Sequence, residues 1–124
     1  TTKQIGRLLG FKTVSELSPE KHDEMIGFLS QLTHCIAVSL MTCKESEDLV
    51  KYTGDSFRDL TRIANINDEM WSELFLSNKS WLLKEMDRYK ESFDKLYDYI
   101  KNDDVDGMRA MMQLSTSRRK LFDK

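Results

Sequence analysis

Residues 80–101 read SWLLKEMDRYKESFDKLYDYIK, and this stretch decides the fold class. Apolar and aromatic residues recur in it at intervals of four, three, four, three and four positions. That spacing places them on one face of a helix, with charged residues on the other. It predicts a long helix with a narrow apolar seam, typical of antiparallel helix packing or a coiled coil. The apolar seam consists of Leu82, Met86, Tyr89, Phe93, Leu96 and Ile100.

Helix signals also lie on both sides of this stretch. Ser18 can cap a helix, and Pro19 suits its first turn. Asp55-Ser56 offers a second cap, and Asn67 begins another helix. We predict further helices over about 1–9, 19–44, 45–52, 57–64, 67–77 and 105–122, with 11–17 as a connector.

Composition limits the class of protein. The chain has 124 residues, 40% of them hydrophobic, which is enough for one domain, 1–124. It contains one proline and five glycines, too few for a many-turned β fold. Its net charge of -2 argues against nucleic acid as a partner, because phosphate binding needs a basic surplus. The sequence predicts an all-α multi-helical domain with a long central helix and a long seam helix, assembled as an intertwined dimer.

The central helix is the most apolar part of the chain. Residues 25–43 contain no Asp, Glu, Lys or Arg, and their apolar side chains cover most of the circumference. A helix that is apolar all round is usually buried. The stretch also holds Ser30, Gln31, Thr33 and His34, which are more polar residues than a membrane span usually has. We therefore expect a buried central helix and no membrane partner.

The cysteines and histidines do not form a recognisable metal or redox motif. Cys35 and Cys43 are about 12 Å apart if they share a helix, too far for a disulfide. With no N-terminal signal sequence visible, we expect a reducing, cytoplasmic location. His22 and His34 lack metal-ligand spacing, and no Gly-rich phosphate loop is present, so neither a metal nor a cofactor is expected on this chain.

His34 lies midway along the central helix, and two interpretations of it are open. It could be a core histidine satisfied by one hydrogen bond. It could instead be a polar group directed into a ligand pocket, because buried polar groups need partners.

Residues 54–64, GDSFRDLTRIA, form a second unusual segment. Asp59 and Arg62 are three apart on one helix face and could form a solvated ion pair. Alternatively, Arg62 could bind a carboxylate, with Asp59 orienting its guanidinium group. Arg58 is four residues before Arg62, so two guanidinium groups could serve a substrate with more than one carboxylate. Trp71 is expected to be a packing or interface residue.

Several motifs together resemble the C-terminal domain of prephenate dehydrogenase. They are His22-Asp23, the stretch SQLTH at 30–34, the stretch FRDLTRIA at 57–64, Trp71, and Ser77-Asn78. Their order and approximate spacing agree with the family across nearly the whole chain. This chain departs from the family at Gln31 and Thr33, where members commonly read Ser-His-Leu-Pro-His, and at Asp55-Ser56, where Gly-Gly is often seen.

The resemblance implies a function. Family members oxidise and decarboxylate prephenate to 4-hydroxyphenylpyruvate with NAD(P) in tyrosine biosynthesis. Their N-terminal Rossmann domain binds the cofactor and carries the catalytic histidine, while the helical C-terminal domain forms the homodimer and completes the substrate cleft. The resemblance thus implies no catalytic residue on this chain, which alone should be inactive.

The resemblance also assigns residues to the prephenate site. His34 and Arg62 match positions that bind substrate oxygens and carboxylates, Asp59 matches an acidic partner, and Trp71 matches a tryptophan near the cleft. The expected substrate-binding set is His34, Arg62, Asp59, Arg58, Trp71, Gln31 and Ser30. Two other functions are open: a non-enzymatic helical interaction module, and a chorismate-mutase-like helical enzyme.

Overall fold

A computed structural model describes residues 18–45 and 48–123. All regular secondary structure in those two ranges is helical, which confirms the all-α class. The predicted helix 1–9 and connector 11–17 lie outside the described residues. The elements are α1 (Pro19–Ile26), a π-helical turn (Gly27–Leu32), α2 (Thr33–Thr42), α3 (Leu49–Tyr52), α4 (Asp55–Thr61), a 3-10 turn (Arg62–Ala64), α5 (Asp68–Ser77), α6 (Lys79–Lys101) and α7 (Val105–Lys120).

Two helix starts are confirmed by their capping bonds. The Ser18 hydroxyl accepts a hydrogen bond from the Lys21 backbone N–H at 3.1 Å, and the Asn67 side chain accepts one from Met70 at 3.1 Å. The cap predicted at Asp55-Ser56 is wrong. α4 begins at Asp55 itself, and Gly54 occupies the N-cap position without a side-chain bond.

The chain divides into two compact units, Thr1–Glu85 and Met86–Lys124. In the first unit, α2 packs against α4 and against the 3-10 turn. The buried apolar residues among those described are Leu32, Ala37 and Leu82. Gly27 is buried too, and a Cβ there would lie 3.5 Å from the Asn78 side chain and 3.6 Å from the Leu82 backbone. The small residue lets two helices approach closely.

The predicted central helix forms one continuous helical run through the π-helical turn. Only one side of this helical run is buried. Phe28 and Met41 on it remain 47% and 43% exposed. By length and composition alone, Pro19–Thr42 could cross a membrane. The core helix of a soluble protein meets the same two criteria.

The second unit is a helical hairpin made of the last sixteen residues of α6, 86–101, and α7. Asp103 connects them in a left-handed conformation, with φ of 53°. The Asp104 N–H donates to the Tyr99 carbonyl at 2.8 Å and the Asp103 N–H to the Ile100 carbonyl at 3.2 Å, the bonding pattern of a Schellman motif. The Asp104 carboxylate then caps α7 through the Gly107 N–H at 2.8 Å.

Part of the apolar seam lies on this second unit. Phe93 and Ile100 are 58% and 57% exposed, and Tyr89 stacks on Phe93 with ring centroids 6.2 Å apart. No apolar side chain among residues 86–123 is buried. This hairpin therefore presents exposed apolar side chains.

Candidate functional site

The candidate site is centred on a stacked pair of rings from α2 and α5. The His34 imidazole lies on the Trp71 indole with centroids 3.9 Å apart and an interplanar angle of 23°. Phe75, one turn further along α5, packs against the same indole at 5.7 Å. Both His34 and Trp71 are half-buried, so the stack has a solvent-accessible edge.

Hydrogen bonding determines which imidazole nitrogen is available. The Nδ1 atom of His34 lies 2.7 Å from the Ser30 carbonyl oxygen. A carbonyl can only accept, so Nδ1 carries the hydrogen and donates it. Within the described residues Nε2 has no protein partner, and in the neutral ring it is the nitrogen with a free lone pair. His34 thus has the single bond of a core histidine and also a nitrogen open to a ligand.

The π-helical turn supplies the carbonyl that orients His34. The Ser30 oxygen also accepts from the Thr33 hydroxyl at 2.7 Å and from the Thr33 backbone N–H. These bonds gather around one oxygen because the helix changes its hydrogen-bonding pattern where the π-helical turn ends at Leu32. π-Helical turns inside α-helices frequently occur at functional sites.

Gln31 lies in the same turn, with only 4% of its surface exposed. Its Nε2 donates to the Leu74 carbonyl at 2.9 Å, and its Oε1 accepts from the Asn78 amide at 2.9 Å. Asn78 also donates to the Asp23 carbonyl at 2.9 Å. Gln31 was predicted from the sequence as a substrate-binding residue, whereas Asn78 was singled out only as part of the family motif Ser77-Asn78 and not as a site residue. The signal available for a place of Asn78 at the site was its position seven residues after Trp71, which is about two helical turns.

Arg58, Asp59 and Arg62 are all exposed. The first two lie on α4, and Arg62 opens the 3-10 turn that packs against α2, the helix of His34. The ion pair between Asp59 and Arg62, one of the two interpretations left open by the sequence, is not formed within 4.0 Å. The α-helical register ends at Thr61, with φ of -102° and ψ of 1°, so the two side chains do not share a regular helix face.

The guanidinium groups of Arg58 and Arg62 therefore have no acidic partner in the part of the chain that the structure describes. Ser30 is the remaining predicted site residue. It is half-buried, and its carbonyl oxygen bonds the imidazole of His34. The structure thus joins His34, Trp71, Gln31 and Ser30 by direct contacts or by neighbouring bonds. Arg62 lies near them because the 3-10 turn that it begins packs against α2, the helix of His34.

Neither a thiol nucleophile nor a metal centre is indicated. Burial raises the pKa of the Cys35 thiol, which disfavours the reactive thiolate. No cluster of three His, Cys, Asp or Glu side chains with metal-site geometry occurs among residues 18–45 and 48–123.

The three glycines among the described residues have other surroundings than those of a Gly-rich phosphate loop. Gly27 is packed inside a helix interface, and Gly107 lies under the Tyr99 ring. Gly54 precedes a helix of only seven residues and follows no strand. The loop between a strand and a helix that cradles a pyrophosphate is not formed by these glycines.

Comparison with known proteins gives the family. The family model described as "Prephenate dehydrogenase, dimerization domain" matches residues 18–114. The prephenate dehydrogenase of Bacillus subtilis is 33% identical over 98 residues, covering 75% of this chain and 26% of that protein. The cyclohexadienyl dehydrogenase of Zymomonas mobilis is 30% identical over 99 residues, covering 75% of this chain and 34% of that protein.

Solved structures agree with the fold. Synechocystis arogenate dehydrogenase superposes with a TM-score of 0.81 at 21% identity, over 97% of this chain and 45% of that one. Prephenate dehydrogenase from A. aeolicus, solved with hydroxyphenyl propionate and NAD+, gives a TM-score of 0.73 at 30% identity, over 85% of this chain and 39% of that one.

The match extends over most of the chain and includes every residue of the candidate site. The chain belongs to the prephenate dehydrogenase dimerization-domain family. It spans about a quarter to a third of the length of the curated relatives.

Proposed function

We propose that this chain forms the dimer contacts and part of the substrate cleft of a prephenate dehydrogenase. The enzyme converts prephenate to 4-hydroxyphenylpyruvate by oxidative decarboxylation with NAD(P). The observation that carries the proposal is the His34–Trp71 stack, which leaves Nε2 unpartnered next to the segment of Arg62. Family membership supports it independently.

Each site residue has a distinct role in this proposal. Prephenate carries two carboxylates, and the exposed guanidinium groups of Arg62 and Arg58 bind them through charge-assisted hydrogen bonds. His34 bonds a substrate oxygen through Nε2, and Trp71 fixes the plane of the imidazole. Asp59 adjusts the charge around the two arginines, and Ser30 orients His34.

This chain contributes binding and orientation rather than the chemical step. In this proposal, as the family resemblance implies, another part of the parent enzyme binds the cofactor and supplies the catalytic residue. The chemistry that a bound nicotinamide cofactor would supply there is a hydride acceptor for the oxidation. We therefore expect no turnover by this chain alone.

The proposed partner is a second copy of the chain. Exposed apolar residues lie along both helical units, including Phe28 and Met41 on the first and Phe93 and Ile100 on the second. A homodimer would remove this surface from water, at about 25 cal/mol for each Å² buried. The net charge of -2 makes nucleic acid a poor partner.

The test is Arg62→Ala in the complete dehydrogenase, with prephenate affinity measured by titration. A charge-assisted hydrogen bond contributes about 1.5–3 kcal/mol, so binding should weaken by roughly one to two decades. The thermal midpoint should be unchanged, because Arg62 is exposed and has no acidic partner in the described structure.

Arg118→Ala is the matched control, because it removes an exposed arginine from α7. It should leave prephenate binding intact. If Arg62→Ala also binds prephenate normally, the substrate-cleft role is refuted and an interaction module without substrate becomes the better interpretation.

A further inference from the structure

We propose that Gln31 and Asn78 form a positioning pair that holds the His34–Trp71 stack in place. The effect on substrate binding rests on the function proposed above, whereas the effect on the stack does not. Neither amide touches the imidazole or the indole in the hydrogen bonds observed, so the pair acts through the two helices that carry the rings.

The contacts between these helices recur along their length, the first two of them one helical turn apart. His34 meets Trp71, and Gln31, three residues earlier, meets the carbonyl of Leu74, three residues later. Asn78 continues the series to Gln31 and then to Asp23. The helical run from Asp23 to His34 therefore lies antiparallel to the run from Trp71 to Asn78. The hydrogen bond from Gln31 to Leu74 therefore also fixes the register in which His34 faces Trp71.

Gln31 also completes the end of α5. In a continuing α-helix the Leu74 carbonyl would accept from the Asn78 N–H, but that N–H bonds the Phe75 carbonyl at 3.3 Å instead. Leu74 is thus one of the helix-terminal carbonyls that need an outside donor. The Ser77 hydroxyl supplies one bond at 2.8 Å and Gln31 supplies the other from the opposite helix. The helix that presents Trp71 is capped by the turn that precedes His34.

The orientation of both amides follows from donor and acceptor matching. Asn78 uses its Nδ2 hydrogens for Asp23 and Gln31, and Gln31 then has its oxygen towards Asn78 and its nitrogen towards Leu74. Turning the Gln31 amide over would place nitrogen against nitrogen and oxygen against oxygen. The Gln31 amide is buried, so a mismatch would not be relieved by water and would be costly. Gln31 is therefore held in one rotamer and one orientation.

Proton NMR of the full 124-residue chain tests the pair without any substrate. The chain contains two histidines, and His22→Gln assigns their ring C–H resonances. His34 protons over the Trp71 indole resonate upfield of those of His22, so the difference reports the stack directly. We expect Gln31→Met, which keeps length but loses the amide, to reduce this difference by more than half. Asn78→Ala should reduce it less, because Gln31 keeps its bond to Leu74.

Ser72→Ala is the matched control. It removes an exposed side-chain bond to the Glu69 carbonyl from the same helix, and it should leave the shift unchanged. A merely stabilising role for Gln31 would lower the folded fraction without moving the His34 resonances of the folded form. Folded Gln31→Met with an unchanged shift overturns the proposal. Should Gln31→Met not fold, Asn78→Ala decides, and an unchanged shift there overturns it equally.

A second measurement keeps the proposal separate from the enzymatic function. In the complete dehydrogenase, Gln31→Met should raise KM for prephenate several-fold with little change in kcat. A loss of the NMR shift without any effect on KM would retain the positioning pair and contradict the substrate role of His34.

Discussion

Gly107 provides a sharp test of the helical hairpin, because the space above its Cα is occupied. A Cβ placed there would lie 2.6 Å and 2.7 Å from two carbons of the Tyr99 ring and 2.8 Å from a carboxylate oxygen of Asp104. Carbon atoms in contact prefer about 3.5–4.0 Å, so in Gly107→Ala the ring must retreat by about 1 Å. The Asp104 oxygen belongs to the carboxylate that caps α7, so the cap is disturbed as well.

The expected magnitude follows from two opposing effects. Overpacking of this kind typically costs about 1–3 kcal/mol. Replacing a helical glycine by alanine returns roughly 0.5–1 kcal/mol. The central values, about 2 and about 0.75 kcal/mol, leave a net loss of about 1.25 kcal/mol, and at about 4 °C for each kcal/mol the thermal midpoint should fall by roughly 5 °C.

The assay is thermal unfolding followed by far-UV circular dichroism at one protein concentration, because the midpoint of a dimer depends on concentration. Gly54→Ala is the control, since a Cβ there meets nothing within 4 Å. Gly107→Ala should cost less stability in a Tyr99→Ala background than in the parent chain, because the clash with the ring is gone and only the Asp104 oxygen remains close to the new Cβ. A Gly107→Ala midpoint at or above that of the parent chain would refute the reasoning, as would additive effects in the double variant.

Two further predictions concern single residues. Asp103→Gly should raise stability by about 0.5–1 kcal/mol in denaturant titrations, because Asp103 has a φ of 53°, which glycine adopts without strain; a lower midpoint would contradict this. Burial raises the pKa of Cys35 above its ordinary 9.0, so the stability that it contributes is present below that pH and is lost as pH rises through the raised pKa. Stability should therefore fall on alkaline titration and fall less in Cys35→Ala; identical pH profiles of the two chains would exclude the effect.

The helical architecture could be predicted because its signals are local. The spacing of Leu82, Met86 and Tyr89 gave a helix from about 80 to 101, and the structure has Lys79–Lys101. Ser18 and Asn67 predicted helix starts because a cap depends on atoms three residues away in sequence. The prediction of a cap at Asp55-Ser56 was wrong because Asp55, Ser56 and Gly54 can each occupy an N-cap position, and local sequence does not choose between them.

The candidate site was predictable in its residue types but not in its geometry. The resemblance to the family named His34, Arg62 and Trp71 without placing any of them in space. The stack of His34 on Trp71 joins residues 37 positions apart, and the bond from Gln31 to Leu74 joins residues 43 apart. The Asp59–Arg62 ion pair, one of two interpretations left open by the sequence, is not formed because the backbone leaves α-helical geometry at Thr61, which lies between the two residues.

The sequence by itself determined that the chain is helical and where its apolar faces lie, because helix period and capping are short-range properties. The family motifs determined which side chains to consider. Only the tertiary structure decided that Gln31 caps a second helix, that His34 turns Nδ1 to Ser30, and that Nε2 has no partner among the described residues. Those outcomes depend on the antiparallel register of two packed helices, which is set by the sum of their contacts and by no single segment.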